Sequence, residues 1–212
     1  MSKYTDDMRA FWSMPTFEQA RDERVTVPPS PELYTDEYQD QILREVLGDI
    51  KLAPGQTILD YGCGVGRMTR ALLRRGVIVV AADVSPAMLD YCRQYCVGLD
   101  GLRTVQTDGW GCPEIDDASI DGAVSFYCFQ HMPTFRMVTT VLRDVHRVLK
   151  SGGWFVLHST DHGIDFLDRS VGFLGVRQSA KVLIRAAANA GFAVGSPTSI
   201  NDPQFSIELS AR

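Results

Sequence analysis

The sequence predicts an α/β fold, a doubly wound, mostly parallel seven-stranded sheet with helices on both faces. Three observations lead there. Short apolar runs of strand length alternate with amphipathic segments along most of the chain. VIVVAAD, residues 77–83, is apolar up to its terminal acid, as a parallel strand buried on both faces requires. Finally, ILDYGCGVGRMT, residues 58–69, passes from an apolar strand end through an acid and three alternate glycines into a helical pattern. Strand, glycine turn and helix open a doubly wound fold, which gathers its ligand at the carboxyl ends of the strands near the switch in strand order.

Each element has its own justification. The first thirty-odd residues mix aromatic and charged side chains, and Pro28, Pro29 and Pro31 interrupt any regular element. Thr35 or Asp36 can cap a helix over 36–49, whose Ile42, Val46 and Ile50 recur on one face before Ala53, Pro54 and Gly55 stop it. Ile58 and Leu59 end the first strand, Gly62, Gly64 and Gly66 make the turn, and 67–75 is the helix beyond it. After the second strand, Ser85 and Pro86 supply an N-cap and a first-turn proline for a helix over 86–97. A short strand over 102–106 stops before Asp108.

IDGAVSF, 120–126, is the fourth strand. The next helix spans 133–150 with a stripe of Val138, Val141, Leu142, Val145 and Leu149, and Ser151, Gly152 and Gly153 end it. WFVLHST, 154–160, is the fifth strand, and SAKVLIRAAANAGF, 179–192, a helix with Gly191 as its C-terminal cap. FSIELSA, 205–211, closes the sheet. Residues 1–35 form an arm or cap and 36–212 the main domain, with no internal repeat or low-complexity linker.

Composition narrows the function. A chain of 212 residues, 45% hydrophobic, is long enough for one α/β core. A net charge of −5 with both signs interspersed gives no footprint for nucleic acid or an anionic membrane, and suits small neutral or cationic substrates. Five cysteines without a C-x-x-C pair fit neither a disulfide framework nor a zinc site, and are expected as reduced core thiols. MSKYTDDMRAFW lacks an apolar signal core and no run approaches the length of a membrane span, so a cytoplasmic location is expected.

The glycine loop admits a ligand because backbone without a Cβ can be approached closely, and the following helix offers free N–H groups. The dinucleotide pattern G-x-G-x-x-G fails: begun at Gly62 it meets Arg67, and begun at Gly64 it meets Thr69. What stands instead is Asp-x-Gly-x-Gly-x-Gly, Asp60 through Gly66. This resembles the first motif of class I S-adenosylmethionine-dependent methyltransferases of small-molecule type, a Rossmann-like fold. The resemblance implies that Asp60 and the adjoining backbone of Gly62, Gly64 and Gly66 hold the amino-acid end of S-adenosyl-L-methionine, released afterwards as S-adenosyl-L-homocysteine. It covers about residues 36–210 and implies further roles. Asp83, about twenty residues past the first glycine, would accept both ribose hydroxyls, and Val84 would pack on adenine. Asp108 and Gly109 would meet the adenine amino group, with Trp110 as a possible shield. Read alone, Asp83 could instead cap the following helix, and Trp110 could simply pack. IDGAVSFYCFQHM resembles the fourth motif, so Ser125, Phe126 and Tyr127 would line the methyl end and the substrate mouth.

Methyl transfer from a sulfonium needs an aligned nucleophile and excluded water, and a base only where the nucleophile must lose a proton. Among the histidines near the carboxyl edge, His131 is the favoured catalytic base, ahead of His158 and of His162, which beside Asp161 is either an oriented group at the substrate or a polar loop. His146, mid-helix, is expected to be exposed. Tyr34, Tyr127 and His162 are the candidate substrate contacts, and Phe11, Trp12, Phe17, Tyr34 and Tyr38 form either a cap over the cofactor or a packed arm.

FYCF occupies the place where base-methylating relatives carry an Asn- or Asp-Pro-Pro-aromatic tetrapeptide. No metal site is expected, since Asp161 and Asp165 alone make a poor ligand set. The expected function is methyl transfer to nitrogen or oxygen of a small molecule, by a monomer or a homodimer paired through uncovered edge strands. The alternative is a non-methylating relative that uses S-adenosylmethionine for regulation or another reaction. A nicotinamide reductase is the third reading, against which stands the absence of any Tyr-x-x-x-Lys pair.

Overall fold

In the computed structural model, residues 3–14, 16–20, 31–161, 175, 179–201 and 204–211 are described. The chain has the doubly wound α/β fold, and among the described residues seven strands lie on the sheet's main path, with an eighth that joins it through a single neighbour. It divides into two compact units, Met1–Asp108 and Gly109–Arg212.

The first unit runs α1 (Lys3–Trp12), α2 (Phe17–Ala20), a 3-10 turn (Pro31–Tyr34), α3 (Asp36–Leu47), β1 (Thr57–Tyr61), α4 (Arg67–Leu73), β2 (Ile78–Asp83), α5 (Pro86–Tyr95) and β3 (Leu102–Gln106). β2 lies between β1 and β3 and is parallel to both. Tyr61 faces Ala82 and Asp83 faces Gln106, so the carboxyl ends of all three strands come level and the acids at or just past them share one edge. Ile58, Leu59, Val79, Val80, Ala81 and Ala82 are buried, as the continuous apolar runs require. Thr35 and Ser85 are the N-caps of α3 and α5: their hydroxyls accept from the Tyr38 and Met88 amides, each at 3.3 Å.

The second unit runs β4 (Ile120–Ser125), a 3-10 turn (Phe129–His131), α6 (Phe135–Val148), β5 (Leu149–Thr160), α7 (Ala180–Asn189), β6 (Phe192–Val194), β7 (Thr198–Asn201) and β8 (Gln204–Ala211). β4 and β5 are parallel, whereas β8 runs antiparallel to β5, β6 and β7. Met137, Val138, Val141, Leu142 and Val145 form the buried stripe of α6.

Three expectations need correction. The helix expected over 133–150 ends at Val148, and β5 starts at Leu149 rather than 154. Between Ile120 and Gly122 the facing position on β5 jumps from Leu149 to Trp154, so residues 150–153 bulge within the strand instead of ending the helix. β6 and β7 are two further strands, too short at three and four residues to display a period. His146 is half-buried, because α7 and β6 return over α6: its ring meets Phe192 edge-on at 5.0 Å, and a Cβ on Gly191 would lie 2.9 Å from its Nε2.

Candidate functional site

In the first unit the loop after β1 is tied to the end of β2 by two hydrogen bonds, the Gly62 and Cys63 amides donating to the Ala82 carbonyl at 2.7 and 3.1 Å. Gly62, Gly64 and Gly66 all take left-handed φ, at 76°, 53° and 91°. Their missing side chains serve different ends. A Cβ on Gly66 would sit 2.7 Å from Cys92 Sγ on α5, so this glycine allows the loop to pack. A Cβ on Gly64 would meet nothing within 4 Å, which leaves its backbone open to a ligand.

Asp83 is the best-organised group of this edge. The Gly64 amide donates to Oδ2 and the Ser85 amide to Oδ1, each at 2.9 Å. The residue is 9% exposed, and burial pushes its carboxyl up to about 6 against those bonds. Each oxygen keeps lone-pair capacity for a second donor. Ser85, not Asp83, supplies the side-chain cap of α5.

Asp60 is 1% exposed and accepts from the Thr69 hydroxyl at 2.6 Å; burial pushes it up to about 7. Asp108 and Val84 are half-buried at the strand ends. The N-terminal segment is bonded to those same loops. Thr5 Oγ1 donates to the Asp108 carbonyl at 2.7 Å, and Arg9 donates through Nε to Val84 and through Nη2 to Thr107, both at 3.2 Å. Tyr91 OH donates to the Met14 carbonyl at 2.6 Å. Phe17 stacks on Tyr95 at 5.8 Å and meets Tyr34 edge-on at 6.5 Å, so Tyr34 joins this aromatic cluster, with the Arg67 guanidinium 5.8 Å from its ring centre.

In the second unit Gly109 is buried, and Trp110 lies beneath Arg136 at 5.9 Å. Ser125 is buried at the end of β4; Phe126 and Tyr127 follow, half-buried, with ring centres 4.4 Å apart. Tyr127 holds φ at 59°, a left-handed conformation that a bulky residue rarely adopts. Both rings contact His158, at 4.5 and 4.4 Å, and Tyr127 OH donates to Gln204 Oε1 at 2.5 Å. His131 is half-buried in the 3-10 turn, its Nε2 3.3 Å from Gln130 Nε2. His162 and Asp165 lie outside the described residues.

His158, only a secondary candidate in the sequence, thus has the most distinctive surroundings of this unit. Gln204 and Ser206 on β8 were missed altogether. The final strand, QFSIELSA, alternates polar and apolar residues throughout, so Gln204 and Ser206 carry no signal beyond that ordinary period of two.

The cysteines are free thiols, four of them buried. Among the described residues no group of three or more His, Cys, Asp or Glu could hold a metal ion, and no helix is long and apolar enough to cross a membrane.

A family model described as a methyltransferase domain matches residues 59–157, from the end of β1 into β5. Demethylmenaquinone methyltransferase of Tropheryma whipplei (strain Twist) is 32% identical over 108 residues, 51% of this chain and 43% of that protein. Cyclopropane mycolic acid synthase 1 of Mycobacterium tuberculosis is 34% identical over 116 residues, 53% and 39% of the two chains. The matched region therefore spans less than half the length of either relative. The Burkholderia thailandensis 1,6-didemethyltoxoflavin-N1-methyltransferase, solved with 1,6-didemethyltoxoflavin and S-adenosylhomocysteine, shares the fold with a TM-score of 0.69 and 20% identity, covering 99% of this chain and 89% of its own. The Asp-x-Gly-x-Gly-x-Gly loop and the family-model match fall on the same strand, turn and helix, so residues 59–157 of this chain are similar to a methyltransferase domain.

Proposed function

We propose that this chain binds S-adenosyl-L-methionine and transfers its methyl group to a nitrogen or oxygen of a small molecule. The observation that carries the reading is the coupling of an open glycine to a fixed acid. The Gly64 backbone is unobstructed, and its amide holds the Asp83 carboxylate, whose two oxygens can each take a ribose hydroxyl. Val84 then packs on adenine, while Asp108 and Gly109 meet its amino group. Gly62 and Gly64 receive the amino-acid end, Gly66 supports the loop that does so, and Phe126 lines the methyl end. Asp60 acts through its negative field and the backbone it pins, since its carboxylate is buried on Thr69.

The bound cofactor supplies an electrophilic methyl on a sulfonium. The protein's part is alignment and the exclusion of water. Residues 1–35 serve as the cap over domain 36–212, a reading supported by the Thr5 and Arg9 bonds to the Asp108, Val84 and Thr107 carbonyls. His131 is the proposed base where an acceptor must lose a proton, and Tyr34, Tyr127 and His162 are the proposed acceptor contacts. The relatives' names, demethylmenaquinone and 1,6-didemethyltoxoflavin among them, support a small acceptor. The proposed enzyme works in the cytoplasm as a monomer or homodimer, without nucleic acid or metal.

The name of the mycolic acid relative, a cyclopropane synthase, supports the second reading, in which the sulfonium serves another reaction. Calorimetric titration with S-adenosylmethionine, S-adenosylhomocysteine and NADH tests the proposal. Micromolar binding of the two sulfur ligands alone is expected; binding of NADH alone overturns it. Tritium from labelled methyl groups appearing in an added amine or phenol separates methyl transfer from the second reading.

A further inference from the structure

His158 and Thr160 lie two residues apart near the end of β5, so their side chains share a face of the sheet. The antiparallel register sets Ser206 opposite His158 and Gln204 opposite Thr160, which brings these four polar side chains together on that face, with Glu208 beyond them opposite Val156. Two of them are satisfied by protein: Thr160 donates to Gln130 Oε1 at 2.6 Å, and Gln204 accepts from Tyr127 OH at 2.5 Å. The other two are not. His158 is 0% exposed and Ser206 6%, yet neither imidazole nitrogen nor the Ser206 hydroxyl has a hydrogen-bond partner among the described residues.

A buried neutral imidazole carries one donor and one acceptor, and a hydroxyl carries both, so three or more hydrogen bonds go unmade at one place. Buried polar groups are rarely left so, because the desolvation cost is then uncompensated. His146 offers a contrast: its buried Nε2 lies against Gly191 and Phe192, where packing accounts for the ring.

The walls of the face are aromatic. Phe126 and Tyr127 contact the His158 ring, and Tyr127 is held in a left-handed conformation that a bulky residue leaves unless its surroundings fix it. His158, Thr160, Ser206 and Gln204 are uncharged, Glu208 on the same face of β8 is exposed opposite Val156, and burial pushes the His158 imidazole down to about 4, so it is neutral. An anionic ligand would find no countercharge among them. A flat, neutral ring with a polar edge would find stacking surface, an acceptor nitrogen and a hydroxyl.

Resting on the methyltransferase reading, we propose that the β5–β8 face bearing His158 and Ser206, walled by Phe126 and Tyr127, is the methyl-acceptor subsite, and that it takes an uncharged aromatic or heteroaromatic ring donating an N–H or O–H to His158. His158 is here a binding and positioning residue: it accepts the ring's N–H or O–H in a hydrogen bond and so orients the acceptor. A nitrogen or oxygen of the acceptor forms the bond to the methyl carbon as the methyl–sulfur bond breaks, S-adenosylhomocysteine leaves with the electron pair, and the methylated ring, cationic at that point, loses its N–H or O–H proton to water on release.

The test uses the full chain with 15N-labelled histidine, saturated with S-adenosylmethionine after calorimetry has established binding. The probes are 2-pyridone, 4-hydroxyquinoline and phenol, with hexylamine and octanoate as aliphatic controls. At least one ring probe is expected to shift the His158 ring 15N resonances and to accept tritiated methyl, while the aliphatic compounds do neither. His158→Asn and Ser206→Ala should raise the KM for that probe about tenfold with cofactor affinity unchanged. Should His158→Asn fail to fold, Ser206→Ala, which removes one hydroxyl, carries the comparison alone. Cofactor binding with no ring probe moving the His158 resonances overturns the subsite, as does methylation of a ring probe with an unaltered KM in the variants. Absence of S-adenosylmethionine binding overturns the methyltransferase reading beneath it, a distinct result.

Discussion

The two compact units hold their functional groups in opposite ways. At the strand ends of the first, the acids are satisfied from within one strand-turn-helix-strand stretch: Asp83 by the amides of Gly64 and Ser85, and Asp60 by the Thr69 hydroxyl in the next helix. In the second, the interesting groups come from distant segments. Tyr127 is bonded to Gln204, Gln130 to Thr160, and His158 faces Ser206 with its nitrogens unmet. On the proposed reading, the site for the cofactor is built into one strand-turn-helix stretch and finished before the ligand arrives, whereas the proposed acceptor subsite is assembled from strand pairings and left with hydrogen bonds for the acceptor to complete.

The largest expected effect tests the first half of that contrast. Asp83→Ala removes the acceptor of two backbone amides and the proposed ribose contacts, and should weaken S-adenosylmethionine binding by roughly 2–4 kcal/mol in calorimetry. An unchanged affinity would break the assignment.

Two glycine variants separate support from contact. Gly66→Ala, with its Cβ 2.7 Å from Cys92 Sγ and φ at 91°, should cost about 2–3 kcal/mol of stability in urea titration. Gly64→Ala meets nothing in the protein, so its strain should cost only about 1 kcal/mol, with a larger loss of cofactor affinity. If both variants lose stability equally while binding normally, Gly64 is no ligand contact.

The pH dependence sharpens the picture of buried acids waiting for a cation. Asp60 and Asp83 have folded-state pKa values raised to about 7 and about 6 from 3.8, so between about 4 and 7 the folded chain holds more protons than the unfolded one. Their contribution to stability is fully present below the unfolded value and is lost as pH rises through the folded one. Free protein should therefore lose on the order of several kcal/mol across that window from these groups, measurable by thermal melts in matched buffers. A cationic ligand favours the ionised forms, so S-adenosylmethionine should bind more tightly at pH 7.5 than at pH 6, with proton release seen as a buffer-dependent enthalpy. Asp60→Asn should flatten both profiles.

The smallest effect concerns the cap. Arg9→Ala removes two bonds to the Val84 and Thr107 carbonyls and should weaken cofactor binding by about 1 kcal/mol with the fold intact. Identical affinity would reduce α1 to packing.

Much of the first unit was legible because its signals are local. A continuous apolar run reads as a doubly buried strand, alternate glycines after an acid read as a ligand loop, and Ser85-Pro86 reads as a helix start, each within a dozen residues. The second unit was less so. The bulge at 150–153 disguised the start of β5, since Ser-Gly-Gly equally ends a helix. β6 and β7 are shorter than any period. His146 looked exposed on its own helix, and only the return of α7 and β6 covers it.

By itself, then, the sequence determined the class of fold, the order of its principal elements and the edge carrying Asp60, Asp83 and Asp108. Periodicity, capping and glycine spacing act over a few residues and survive in one dimension. Only the tertiary structure decided that Gly66 supports the loop while Gly64 opens it, that Asp60 is buried on Thr69, and that His158 and Ser206 stand together. Those facts depend on which segments pack and in what register, and one residue of slip along β8 would turn Ser206 to the other face of the sheet.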